Sequence, residues 1–175
     1  RMAREALLDH VPVPPENVHP VSGDLPPEEA ARRYESELRR LFSDTRPRFD
    51  LIFLGLGSEG HTASLFPGGS ALEERKRWAI EAGGPTGGPP RVTLTLPVLN
   101  EGRVLCFLVA GAEKAKTLAE VIRGSKHSPP LPAQRVMPRD GELLWFVDRE
   151  AAGELGPSPS VDFDADRENR KGSTP

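Results

Sequence analysis

This 175-residue chain predicts an α/β fold: a mainly parallel sheet flanked by helices. Three observations carry the prediction. Short apolar runs, Phe49–Leu54 and Arg103–Ala110, read as strands buried on both faces of a parallel sheet. Around them lie segments with helical periodicity, the clearest being the stripe Ala31, Tyr34, Leu38 and Leu41 ahead of the first run. Strands alternating with helices imply parallel strands joined by crossovers.

The elements follow in order. Arg1–Asp9 reads as a helix with Met2, Ala6 and Leu7 on one face, so the chain is expected to begin inside an element. Pro12-Val13-Pro14-Pro15 ends that helix, and Asn17–Val21 is a short extended piece. Pro26 and Pro27 open a second helix, with Glu28 and Glu29 placed favourably for its dipole. After the first apolar strand, Trp78–Glu81 is read as another strand and Gly83–Pro90 as a flexible loop. Arg91–Leu96 alternates Val92, Leu94 and Leu96 with threonines, the pattern of a strand with one polar face. Gly111 leads into a helix over residues 112–123, which Gly124 ends. Leu143–Val147 is the last strand, followed by a short helix from Asp148. One domain over 1–155 results. Residues 156–175 turn Pro/Ser-rich and then charged, and are expected to be a disordered tail.

Composition excludes several functions. A net charge of −3 gives no basic field for nucleic acid. Arg32-Arg33 and Arg39-Arg40 alternate with glutamates and read as a solvated helix face. The single cysteine, Cys106, sits inside an apolar run and reads as a small buried strand residue; no Cys/His metal cluster is present. No apolar run approaches membrane-spanning length and no signal peptide precedes the first helix, so a cytoplasmic protein without membrane partners is expected.

The chemistry concentrates where Phe49-Asp50-Leu51-Ile52-Phe53-Leu54 runs into Gly55-Leu56-Gly57-Ser58-Glu59-Gly60-His61. This matches G-x-G-x-x-G after a strand, and Glu81 follows at about the spacing of a ribose-binding acid. The dinucleotide reading fails because Pro67-Gly68-Gly69 stops any helix within two turns of the last glycine. A serine-hydrolase elbow fails because Leu56 occupies a position that requires glycine. Ser58 and Ser64 then read as backbone-bonding loop residues. What remains is His61, with Glu59 two residues before it. Imidazole suits a general base near neutral pH, and a neighbouring carboxylate orients it. A lone loop histidine is ordinarily structural, but the carboxyl end of a buried parallel strand is where α/β proteins place their sites.

The same residues, through Gly60-His61-Thr62-Ala63-Ser64-Leu65-Phe66-Pro67, resemble the signature of the 6-phosphogluconolactonases, which are similar in fold to glucosamine-6-phosphate deaminases. That family usually has Asp-Gly-His where this chain has Glu59-Gly60-His61. Further blocks resemble it too: Pro90–Asn100, Gly111-Ala112-Glu113-Lys114-Ala115, Leu131-Pro132-Ala133 and Leu144–Asp148, with Arg1–Leu8 and Glu29–Leu38 also fitting.

The resemblance implies a Rossmann-like domain that hydrolyses 6-phosphoglucono-δ-lactone in the pentose phosphate pathway, without a cofactor or metal. It implies His61 as the base and Glu59 as its carboxylate. Because glycine leaves the backbone open, N–H groups around Gly57 and Gly60 are expected to serve the oxyanion or substrate hydroxyls. Arg91 and Lys114 are expected to hold the phosphate, Arg91 as a bidentate grip and Lys114 in the first turn of its helix. His10, His19 and His127 read as surface or loop residues, and Trp78 and Trp145 as packing residues. The family also implies a strand and a Gly-Gly-Ser-Thr-Pro loop ahead of the matching region, so relative to it the chain is N-terminally truncated. Two alternatives stay open: a sugar-phosphate isomerase or deaminase, and a non-catalytic sugar-phosphate-binding remnant.

Overall fold

The computed structural model describes residues 2–43, 46–84, 88–124 and 129–156. The predicted tail and His127 lie outside them, apart from Gly156. Three parallel strands form the main sheet: β1 (Leu51–Leu54), β4 (Val104–Val109) and β5 (Glu142–Val147), with β4 in the centre. Leu54 faces Phe107, and Phe107 faces Trp145, in register. A separate antiparallel pair, β2 (Ala79–Ala82) and β3 (Arg91–Leu94), packs under the helix α2 (Pro27–Leu41). The parallel sheet agrees with the α/β expectation; the antiparallel pair is an addition to it.

Alternation decides which face of the sheet is core. Ile52 and Leu54 of β1, Leu105, Phe107 and Val109 of β4, and Leu143, Trp145 and Val147 of β5 face one way. They pack with the helix α4 (Ala115–Arg123), which contributes Leu118 and Val121. Phe107 is fully buried and its ring stacks on Trp145 at 4.1 Å. Truncating a side chain like Leu105 here costs about 2–5 kcal/mol.

The other face corrects the expectation of strands buried on both sides. Phe53 (64 % exposed), Leu108 (52 %) and Phe146 (61 %) stand on it, beside Leu51 and Leu144. No described element packs over these side chains closely enough to bury them.

Five other expectations change. The first helix is shorter than expected: α1 (Met2–Ala6) buries nothing, and its Met2 is 81 % exposed. The alternating strand stops at Leu94, because Pro97 lacks a ladder N–H and sits in the first turn of the helix α3 (Leu96–Leu99). The helix expected over 112–123 divides into a 3-10 turn at Ala112–Lys114 and then α4. Asn17 closes a 3-10 turn (Pro15–Asn17) instead of opening the extended piece, while His19 is a loop residue, as read, tied to α2 through Glu37 at 2.7 Å. On α2 the stripe packs through Ala31 and Leu38, while Leu41 points out.

The helix α2 is anchored by a buried carboxylate. Glu35 accepts hydrogen bonds from the Trp78 amide (3.0 Å), from Arg39 (2.9 Å) and from Arg77. Burial pushes the Glu35 carboxyl up, but the bonds from Arg77, Trp78 and Arg39 outweigh it and hold it below the usual carboxylate range. Trp78 fills the space between Leu38 and Val98, with the Arg39 guanidinium 4.4 Å above its ring.

Candidate active site

The carboxyl ends of β1 and β4 carry the two segments singled out in the sequence. After Leu54 the chain enters a bend that bonds to itself. The Gly57 amide donates to the His61 carbonyl at 2.9 Å, and the Gly60 amide donates to the Gly57 carbonyl at 2.9 Å. Gly60 has φ +83°, a conformation that favours glycine, and its Cβ position lies 2.9 Å from the Leu131 side chain. The Gly60 carbonyl accepts from Ala133, so Leu131-Pro132-Ala133 forms a floor for the bend.

These bonds narrow one expectation. The amides of Gly57 and Gly60 are committed inside the bend and do not face a ligand. Their smallness still shapes the site: a Cβ on Gly57 would lie 1.9 Å from His61 Nδ1, so the imidazole packs against bare backbone there. Between them, the Ser58 amide has no partner among the described residues. Ser58 and Ser64 do bond as loop residues, but through their main chains. The Ser58 carbonyl accepts from the Thr117 hydroxyl at 2.5 Å, and the Ser64 amide donates to Thr93 Oγ1 at 3.2 Å.

His61 is about one quarter exposed, with Glu59 Oε1 3.0 Å from its Nδ1. Nδ1 is buried, and the approach is ion-pair contact rather than an aligned hydrogen bond. Partial burial acts to raise the Glu59 carboxyl. Its own amide, His61 and Lys114 together outweigh that and hold it below the usual carboxylate range. The extra methylene of glutamate therefore still reaches the ring. The Phe66 ring also stands against the imidazole, centroid to centroid 4.6 Å and tilted by 43°.

The two cations arrive from separate elements. Lys114 closes the 3-10 turn that follows Gly111 (φ +99°) and caps α4. Asp148, just past β5, fixes that turn by accepting from the Gly111 amide at 2.9 Å, while its other oxygen accepts from Ala151. Arg91 opens β3, with its guanidinium 6.0 Å from the Phe66 ring centre. Two residues on, Thr93 shares a strand face with Arg91 and holds the Ser64 amide, which keeps β3 beside the loop. Neither Arg91 nor Lys114 forms a salt bridge among the described residues. The structure thus gathers His61, Glu59 and Lys114 at one strand end, with Arg91 across Phe66.

Sequence reasoning missed two supports, Thr117 and Phe66. Thr117 is buried one helical turn after Lys114, and a hydroxyl inside the apolar stripe of α4 was the available signal. Phe66 stands out in the sequence only as part of a motif, and no spacing rule marks it as the neighbour of His61. Among the described residues, no three His, Cys, Asp or Glu side chains converge as metal ligands, and no helix is long and apolar enough to cross a membrane.

Comparison with known proteins identifies the family. The family model described as glucosamine-6-phosphate isomerases/6-phosphogluconolactonase matches residues 1–145. A 6-phosphogluconolactonase of Homo sapiens is 43% identical over 151 residues, covering 85% of this chain and 58% of the relative. One from Synechocystis sp. is 43% identical over 161 residues, covering 90% of this chain and 66% of the relative. The chain therefore spans less than two thirds of the length of these curated relatives. Among solved structures, a 6-phosphogluconolactonase from Thermotoga maritima superposes with TM-score 0.68 at 34% identity, covering 82% of this chain and 62% of that one. The parallel sheet, the glycine bend and the matching residues agree: this chain belongs to the glucosamine-6-phosphate isomerase/6-phosphogluconolactonase family.

Proposed function

We propose that this chain carries the hydrolytic site of a 6-phosphogluconolactonase, with His61 as general base. The observation that carries the reading is the Glu59–His61 pair, set on a self-bonded bend at the carboxyl end of a parallel strand, with Lys114 near its carboxylate. Glu59 beside Nδ1 favours the tautomer with the proton on that nitrogen, which leaves Nε2 to act on water.

The steps follow from the substrate. Nε2 takes a proton from water as its oxygen attacks the lactone carbonyl, and the tetrahedral oxyanion collects negative charge. The Ser58 amide, which has no partner among the described residues, is a donor on the same bend available to meet that charge. The ring C–O bond then breaks, and the departing oxygen takes the proton back from the imidazolium. The product is the open-chain 6-phosphogluconate. Arg91 and Lys114 hold the phosphate end through charge-assisted bonds. A small polar anion as substrate fits a cytoplasmic protein of the oxidative pentose phosphate pathway, and a net charge of −3 suits no nucleic-acid partner.

The purified chain, given fresh lactone with 6-phosphogluconate followed by a coupled dehydrogenase, tests this. The expected rate exceeds spontaneous hydrolysis. His61→Ala lowers kcat by about 10²–10⁴-fold, the usual share of a general base. Arg91→Ala raises KM by about 10- to 100-fold, the worth of hydrogen bonds to a charged group. A rate equal to the spontaneous one sinks the lactonase reading, and ammonia release from glucosamine 6-phosphate would favour the deaminase instead. Full activity in His61→Ala removes the base assignment.

A further inference from the structure

Phe66 is only 8 % exposed, yet it belongs to neither of the two apolar clusters that form the core. Its neighbour Leu65 is fully buried and packs into the main cluster. The chain thus sends one apolar side chain of this pair into the core and the other out of it.

Two polar side chains of the site stand against Phe66. The His61 ring sits 4.6 Å away on a tilted contact, and the Arg91 guanidinium stands 6.0 Å from the ring centre. The backbone around it is fixed from three sides. Thr62 Oγ1 donates to the Gly55 carbonyl, the Ser64 amide donates to Thr93, and the Gly69 amide donates to the Phe66 carbonyl. Beyond Phe66, a cavity of about 260 Å³ lies between its loop and the end of β2. The His61 ring is held by bare Gly57 on one side and by this phenyl ring on another. Removing the phenyl opens room for the imidazole to swing.

We propose that Phe66 is a positioning residue that couples the base to the phosphate-binding cation. It fixes the orientation of the imidazole and gives the Arg91 guanidinium a π-face to rest on, so the distance between the reacting carbonyl and the phosphate is set by one aromatic ring. The charged groups around this arrangement are Glu59 at Nδ1, Lys114 beyond Glu59, and Arg91 beyond the phenyl ring. This inference rests on the lactonase reading for its kinetic arm only.

The test uses the full chain and Phe66→Leu, with Phe66→Met as a second disruptive variant should leucine prevent folding, and melting curves to establish folding. Loss of the cation–π contact raises KM about two- to fivefold, and release of the imidazole lowers kcat by about tenfold or more. Phe66→Tyr recovers most of both losses. In the double variant with Arg91→Ala, KM rises no further than in Arg91→Ala alone, because the phenyl ring acts on KM through Arg91. A folded Phe66→Leu with unchanged kcat and KM, or KM effects that multiply in the double variant, overturns the proposal. A second arm needs no turnover. In a carbon–proton NMR spectrum, the His61 ring resonances carry the ring-current shift of Phe66, lose it in Phe66→Leu and keep it in Phe66→Tyr. If the wild-type chain shows no lactonase rate, the functional reading falls alone. Unchanged His61 resonances in Phe66→Leu overturn the positioning role whatever the rate.

Discussion

Gly57→Ala isolates the geometry of the base from its chemistry. The substitution removes no functional group, and Gly57 lies outside the glycines of positive φ, so alanine fits its backbone. The added Cβ would stand 1.9 Å from His61 Nδ1 and 2.1 Å from Cε1. A carbon–nitrogen contact relaxes at about 3.5 Å, so the ring must retreat by roughly 1.5 Å. A displacement of about 1 Å at a reacting group is enough to cost around 10²-fold in rate, or about 2.7 kcal/mol of transition-state stabilisation. The hydrogen bond from residue 57 to the His61 carbonyl is a main-chain bond and survives. The expected result is a kcat at least 10²-fold below wild type, with KM for the lactone changed far less, because Arg91 and Lys114 are untouched. Thermal stability should move by less than about 1 kcal/mol. The coupled dehydrogenase assay reads the kinetics, and a melting curve reads the stability. Wild-type kcat in a folded Gly57→Ala would refute the packing of the imidazole on this glycine and the mechanism built on it.

Two further outcomes test the supports of the site. Glu35 has a folded-state pKa below its ordinary value of 4.5, so its contribution to stability is present above that value and fades as pH falls through the folded one. Urea melts compared between pH 6 and acidic pH should show a steeper loss in wild type than in Glu35→Gln. At pH 7 that variant should lose about 2–3 kcal/mol, the low end for breaking a buried pair, since Arg39 and Arg77 are partly exposed and regain water. Equal acid sensitivity in both proteins would remove Glu35 as the anchor. Thr117→Val leaves the Ser58 carbonyl without its hydroxyl donor and should cost about 1–3 kcal/mol in a chemical melt. Its kcat/KM should fall as well, because that bond ties the bend to the helix carrying Lys114; unchanged kinetics would make the tie purely structural.

How far the sequence could be read depended on whether the relevant signal was local. The strands at Leu51, Val104 and Glu142 announce themselves as apolar runs, and Gly124 marks a helix end because a left-handed residue is needed there. His61, Glu59, Arg91 and Lys114 were legible as chemistry, since only a few side chains move protons or grip phosphate. Hydrogen-bond direction was not legible. Glycines 57 and 60 look like open donors in a sequence, but their amides close the bend on itself, and the uncommitted donor is the ordinary Ser58 between them. Periodicity also cannot say whether an apolar strand face has a neighbour. Phe53, Leu108 and Phe146 have the same residue chemistry as Ile52 and Phe107, and differ only in what lies above them. Phe66 shows the same limit at the site. Two consecutive apolar residues follow the histidine, and the pattern treats them alike. Leu65 serves the core while Phe66 serves the imidazole, a division made by the turn at Thr62–Leu65, which rotates one side chain inward and leaves the other against His61. The proposed base is therefore named by its own chemistry, whereas the groups packed around it and its bend are silent in the sequence: bare Gly57, the Phe66 ring and the buried Thr117.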